Sequence, residues 1–210
     1  MKQPSIVIVD YGVGNTCSVS NAIRALGYRK LKISGEKVDI LNADALILPG
    51  VGAFEVCVKN LRKRNLDETL CEAVLERKKT ILGICVGMQL MATFSEENGI
   101  HAGLDWISGR VVRLGLPKNF AVPHVGWNDV HQRRDDTLFS KTPEIPSFYF
   151  DHSYHYECDP AFVTAECDYG IRVTAAIKKD NIHGVQFHPE KSQNNGLKIF
   201  RSFFDMIDAC

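Results

Sequence analysis

The sequence predicts an α/β fold: three layers, a mostly parallel central sheet with helices on both faces, and added antiparallel strands. Three observations carry that prediction. Short apolar, β-branched runs alternate with helical patterns through the first half of the chain. Short strands separated by turns crowd the second half. No repeat, low-complexity tract or linker divides the 210 residues. One domain over residues 1–210 is therefore expected, long enough to bury a substantial core.

The elements follow in order. Residues 6–10 form a short β-branched strand run. Residues 15–26 carry Val19, Ala22, Ile23 and Leu26 at helical spacing, with Gly27 as the stop. Residues 31–33 give a weak strand and 44–48 a clear one, followed by helices over 54–64 and 66–78 and a strand over 80–84. Strands at 110–114, 147–150, 162–165, 173–177 and 182–187 read as antiparallel additions to the sheet. Residues 192–207 close the chain as an amphipathic helix, with Ile199, Phe203 and Ile207 on one face and Ser192 as its cap.

Bulk composition narrows the function classes. Formal net charge is zero, which argues against electrostatic capture of nucleic acid or an anionic membrane surface. No apolar stretch approaches the roughly 20 residues of a membrane span. The apolar part of residues 1–10 is too short for a signal sequence and runs into Asp10. Seven scattered cysteines lack paired metal-ligand spacing, and Cys158 and Cys167 with His155 fit no standard zinc site. A cytoplasmic protein without metal or cofactor is expected. Cys17, Cys57, Cys71 and Cys210 are read as structural or incidental.

The chemistry centres on Cys85, in Gly83-Ile84-Cys85-Val86-Gly87-Met88-Gln89-Leu90. A strand, a thiol between glycines and then a helix describe a sharp turn that lifts a nucleophile out of a sheet. Helix N–H groups after it favour a thiolate. Far downstream, Phe187-His188-Pro189-Glu190 supplies a base and a carboxylate to orient it. Two residues apart in an extended segment, His188 and Glu190 face the same side. Pro49-Gly50-Val51-Gly52-Ala53-Phe54 lies beyond the carboxyl end of the 44–48 strand, where open α/β sheets collect ligands. Its backbone N–H groups and that of Val86 suit an oxyanion hole, in which one donor contributes ~3 kcal/mol.

With these segments go Asp10-Tyr11-Gly12-Val13-Gly14-Asn15, Pro123-His124-Val125-Gly126-Trp127-Asn128 and Phe148-Tyr149-Phe150-Asp151-His152-Ser153-Tyr154. Together they resemble the class I (triad-type) glutamine amidotransferases, and within them the glutaminase subunits of imidazole glycerol phosphate synthases, over nearly the whole chain. The resemblance implies a class I glutamine amidotransferase-like fold. It implies Cys85 as nucleophile toward the L-glutamine side-chain amide, His188 as base and acid, and Glu190 as its orienting group. Gly52 and Val86 would be oxyanion donors. Gln89, Glu97, His152 and Ser153 would contact substrate, Glu97 suiting its α-ammonium and His152 and Ser153 its α-carboxylate.

A partner is implied as well: a separate (β/α)8-barrel synthase subunit, forming a heterodimer, into which shielded ammonia passes. Trp127, Asn128, Tyr149 and Lys191 match positions facing that partner. Turnover by the isolated chain should be low, because in the family the 50–52 strand reorients on complex formation. Asp151 departs from the apolar residue more usual in members of histidine biosynthesis. A related branch supplies ammonia for amidating a sugar in surface-polysaccharide synthesis, with the same chemistry at Cys85. Two rivals are a cysteine peptidase or thiol-dependent hydratase on a similar sheet, and a degenerate, non-catalytic domain. Gln89 and Glu97 argue against the first, and the intact Cys85, His188 and Glu190 against the second.

Overall fold

A computed structural model describes residues 3–208. Cys210 lies outside the described residues. The chain runs β1 (Ile6–Val9), α1 (Thr16–Ala25), β2 (Leu31–Ser34), α2 (Lys37–Asn42), β3 (Ala45–Gly50), α3 (Phe54–Lys63), α4 (Leu66–Cys71), β4 (Thr80–Cys85) and α5 (Val86–Gln89). Then come β5 (Phe94–Ser95), β6 (His101–Ala102), β7 (Gly109–Arg113), β8 (His124–Asp129), β9 (His131–Gln132), β10 (Ser147–His152) and β11 (Tyr154–Cys158). β12 (Val163–Asp168), β13 (Arg172–Lys179), β14 (Ile182–Val185) and α6 (Gln193–Asp208) complete it.

The main sheet has eight strands in the order β2-β1-β3-β4-β14-β13-β12-β9. Its first five are mutually parallel, and each of the last three pairs antiparallel with its neighbour. β1, β3 and β14 are buried along their whole length, as parallel strands covered on both faces must be. The expected fold class is present.

Three assignments need correction. The 182–187 segment is no antiparallel addition: β14 lies parallel to β4, Ile182 opposite Ile81 and Val185 opposite Ile84. That register brings the residues after β14 to the same end as Cys85. The strands at 110–114 and 147–150 leave the main sheet. β7 pairs with β11 and β5, and β10 forms a ribbon with β8. Residues 66–78 are not one α-helix, because the chain widens to a π-helical turn at Glu72–Glu76.

The helix after Cys85 is also shorter than its sequence suggests. α5 makes one turn. Its continuation is stopped because N–H groups of the 104–107 segment claim the carbonyls of Leu90, Met91 and Ala92. A single turn carries little macrodipole, so other groups must stabilise charge on the sulfur. Nor does Ser192 cap α6 with its side chain. Its hydroxyl donates to the His188 carbonyl at 2.6 Å and accepts the Tyr149 N–H at 2.9 Å.

Candidate active site

Three adjacent strands deliver the site. β3 ends in the Pro49–Gly52 loop, β4 ends at Cys85, and the chain leaving β14 carries Gln186, His188 and Glu190. Cys85 has φ 54° and ψ −113°, the strained backbone of a nucleophile turn. Gly87 lets this turn lie against β3: a Cβ there would sit 1.8 Å from the Leu48 carbonyl oxygen.

His188 Nδ1 and Glu190 Oε1 are 2.9 Å apart, both side chains almost wholly buried. The pair is not in an extended segment as the spacing suggested. His188 is extended, but Pro189–Lys191 forms a 3-10 turn that brings the carboxylate back beneath the ring. Burial pushes the imidazole pKa down. Hydrogen bonds to Cys85 and Glu190, with the attraction of both groups, outweigh it and raise it to about 10. His188 thus holds a proton at neutral pH beside the sulfur. Phe187 anchors the segment, stacked on Phe148 at 3.9 Å between ring centres, and the His188 N–H donates to the Tyr149 carbonyl at 2.9 Å.

A cavity of about 360 Å³ opens onto the sulfur, small-molecule rather than peptide in scale. Gly52, Cys85, Val86, Gln89, Glu97, His152, Ser153, His188 and Lys191 all line it. Glu190 stands behind His188. Trp127 and Asn128 lie outside on β8, and Tyr149 outside on β10.

The Val51 carbonyl accepts the Cys57 thiol at 3.5 Å, and the Pro49 carbonyl accepts the Tyr11 hydroxyl at 2.7 Å. Cys57 is therefore not incidental, since it holds the loop from beneath. A trans peptide sets N–H opposite C=O, so the Gly52 N–H leaves on the side away from Cys57. Gly52 itself has φ +83°, open to glycine. As the first residue of α5, Val86 has an N–H without a helical acceptor.

His152 differs from expectation. The Tyr154 carbonyl can only accept, so His152 Nδ1 carries the proton at 2.9 Å from it. Its Nε2 then accepts from His124 Nδ1 at 3.0 Å, and His124 Nε2 faces the Asn128 amide at 3.4 Å. Both nitrogens of His152 are occupied, leaving no side-chain donor for a carboxylate. Its contribution to the cavity is backbone and shape. Glu97 gives Oε2 to the Phe54 N–H at 2.7 Å, at the start of α3. Lys191 reaches Asp151 at 3.5 Å and lies over the Tyr149 ring. Among the described residues, no group of three or more His, Cys, Asp or Glu forms a metal-ligand set, and no helix is long and apolar enough to cross a membrane.

Sequence reasoning missed Gln186, which is fully buried and touches Cys85. The available signal was a lone carboxamide between Val185 and Phe187 in an apolar run.

A strained thiol, a carboxylate-backed imidazole and a small cavity at the carboxyl end of a parallel sheet define a thiol-dependent hydrolase site. The chain belongs to the glutamine amidotransferase class-I family, whose signature spans residues 7–207. A Vibrio vulnificus (strain YJ016) protein named imidazole glycerol phosphate synthase subunit HisH 2 is 45% identical, over 96% of this chain and 94% of its own length. A Listeria innocua protein named imidazole glycerol phosphate synthase subunit HisH is 42% identical, over 98% of this chain and 97% of its own. The structure of PurLQS from Thermotoga maritima superposes with a TM-score of 0.73 at 18% identity, over 98% of this chain and 99% of that one. It supports the fold alone.

Proposed function

We propose that this chain, acting as one domain, is the glutaminase subunit of imidazole glycerol phosphate synthase in histidine biosynthesis. The observation that carries the reading is the convergence of Cys85, His188 and Glu190 on one small cavity. The Cys85 sulfur attacks the side-chain carbonyl carbon of L-glutamine, and the N–H groups of Gly52 and Val86 receive the oxyanion. His188 gives its proton to the departing nitrogen, which leaves as ammonia, and a glutamyl thioester remains on Cys85. Water then adds to the thioester carbon and loses a proton to His188. The sulfur departs and glutamate is released.

Glu97, with one oxygen on Phe54, directs its remaining charge at the α-ammonium of glutamine. Ammonia passes to a (β/α)8-barrel synthase subunit in a heterodimer. Trp127, Asn128, Tyr149 and Lys191 lie on the side from which that partner docks. The pair works in the cytoplasm.

The test is a glutamine-analogue affinity label, 6-diazo-5-oxo-L-norleucine, applied to the chain with its barrel partner and read by mass spectrometry. An adduct at Cys85, glutamine hydrolysis without peptide hydrolysis, and loss of both in Cys85→Ala are expected. No adduct in the assembled complex overturns the reading. The pathway is assigned by growth rescue of a histidine-requiring strain that lacks this subunit; failure to rescue favours the sugar-amidating branch.

A further inference from the structure

Gln186 follows β14 with 0% of its surface exposed. Burying a carboxamide is costly unless both its ends are bonded. Here the bonds form a directed chain. Gln89 Nε2 lies 2.9 Å from the Tyr154 carbonyl oxygen and 2.9 Å from Gln186 Oε1. A backbone carbonyl only accepts, so the Gln89 group facing it is the NH2. The second hydrogen of that NH2 points at Gln186, which must answer with its oxygen. The NH2 of Gln186 is thereby turned to Cys85 Sγ, 3.6 Å away. Flipping Gln89 would set its oxygen against the Tyr154 carbonyl oxygen, and flipping Gln186 would set NH2 against NH2.

We infer that Gln186 is a positioning residue for the nucleophile: it gives the Cys85 sulfur a neutral N–H donor whose direction is fixed through Gln89 by the Tyr154 carbonyl. The inference rests on the proposed role of Cys85. It supplies what the one-turn α5 does not. The donor is also distinct from His188. During deacylation the sulfur leaves the glutamyl carbon with the bonding electron pair while His188 is taking a proton from water. Gln186 donates to the departing thiolate in that step, without gaining or losing a proton. Gln89, with its NH2 committed to Tyr154 and Gln186, presents only its oxygen to the cavity, an acceptor suited to the ammonium of glutamine.

The test uses Gln186→Met, which keeps length and removes the donor, and Gln186→Glu, which keeps shape and the acceptor toward Gln89. Melting curves establish folding. Alkylation of Cys85 by iodoacetamide is followed against pH by peptide mass spectrometry, and glutaminase kcat and KM are measured with the barrel partner present. Loss of one hydrogen bond to a charged group predicts an alkylation midpoint about one pH unit higher, and kcat about tenfold lower, in Gln186→Met. Gln186→Glu should move the midpoint further, because a carboxylate then faces the sulfur. KM for glutamine should stay within about threefold, which a general loosening of the cavity would not allow. Should Gln186→Met fail to fold, Gln186→Glu carries the same comparison.

A midpoint and kcat equal to the parent's overturn the inference. The alkylation arm needs no glutamine turnover. An unmodified chain that proves inactive on glutamine therefore sinks the proposed function alone, and the Gln186 comparison still decides its own question.

Discussion

His152 and His124 show how burial decides the role of a side chain that chemistry alone leaves open. Burial pushes His152 down to about 3 and His124 to about 4, and each ring is neutral and hydrogen-bonded at both nitrogens or stacked on aromatic neighbours. The unfolded chain takes up these protons near the ordinary value of 6.5, while the folded one refuses them until far lower. Stability is therefore complete above about 6.5 and erodes as pH falls toward the folded values. For His152 the loss reaches about 2 kcal/mol at pH 5. Denaturant unfolding at pH 7 and pH 5 checks this with His152→Gln, which keeps a donor for Tyr154 and an acceptor for His124. The variant should lose about 2 kcal/mol less than the parent between the two pH values. Equal losses would place the acid sensitivity elsewhere.

Between elements, the decisive link is the one tying β10 to the turn after β14. Tyr149 accepts the His188 N–H, and Ser192 joins the Tyr149 N–H to the His188 carbonyl. His188 is thus clamped by backbone from another sheet. Ser192→Ala leaves the half-buried Tyr149 N–H without its acceptor and should cost about 1 kcal/mol. It should also lower kcat with little change in KM, because His188 loosens while the cavity keeps its shape. Calorimetry and glutaminase kinetics together check it, and an unaltered kcat would make the clamp purely structural.

This clamp marks the boundary of what the sequence made legible. Cys85, His188 and Glu190 were readable because each is a reactive type in a local pattern with few other uses. The parallel core was readable because buried strands β1 and β3 are near-continuous apolar runs. Gln186, Ser192 and Cys57 act through partners set by the fold: Cys85, 101 positions from Gln186; Tyr149, 43 from Ser192; and Val51, six from Cys57. The brevity of α5 likewise depends on carbonyls claimed by the 104–107 segment, a contact no helical periodicity records.

At the scale of the molecule, the β8–β10 ribbon is two-sided. Its inner face carries His124, Phe148 and Phe150, packed with Phe187 directly before His188. Its outer face pairs Trp127 with Tyr149 and Val125 with Asp151, and Lys191 lies across the Tyr149 ring. Trp127 is 49% and Val125 53% exposed, which puts a large aromatic and an aliphatic side chain side by side in solvent. Asp151 and Lys191 continue that surface to the mouth of the cavity. An apolar pair flanked by charges at the opening from which ammonia must leave suits a docking partner. Contact there would bear on the same strand that holds His188. Trp127→Ala should weaken binding of the barrel subunit by more than about tenfold, the effect of losing an aromatic anchor, while the melting temperature stays near the parent's because the side chain is not in the core. Glutaminase stimulation by the partner should fall in parallel. Val38→Ser, on the exposed side of α2, is the control and should bind as the parent does. Titration calorimetry with the purified barrel measures both, and undiminished affinity in Trp127→Ala would move the interface off this ribbon.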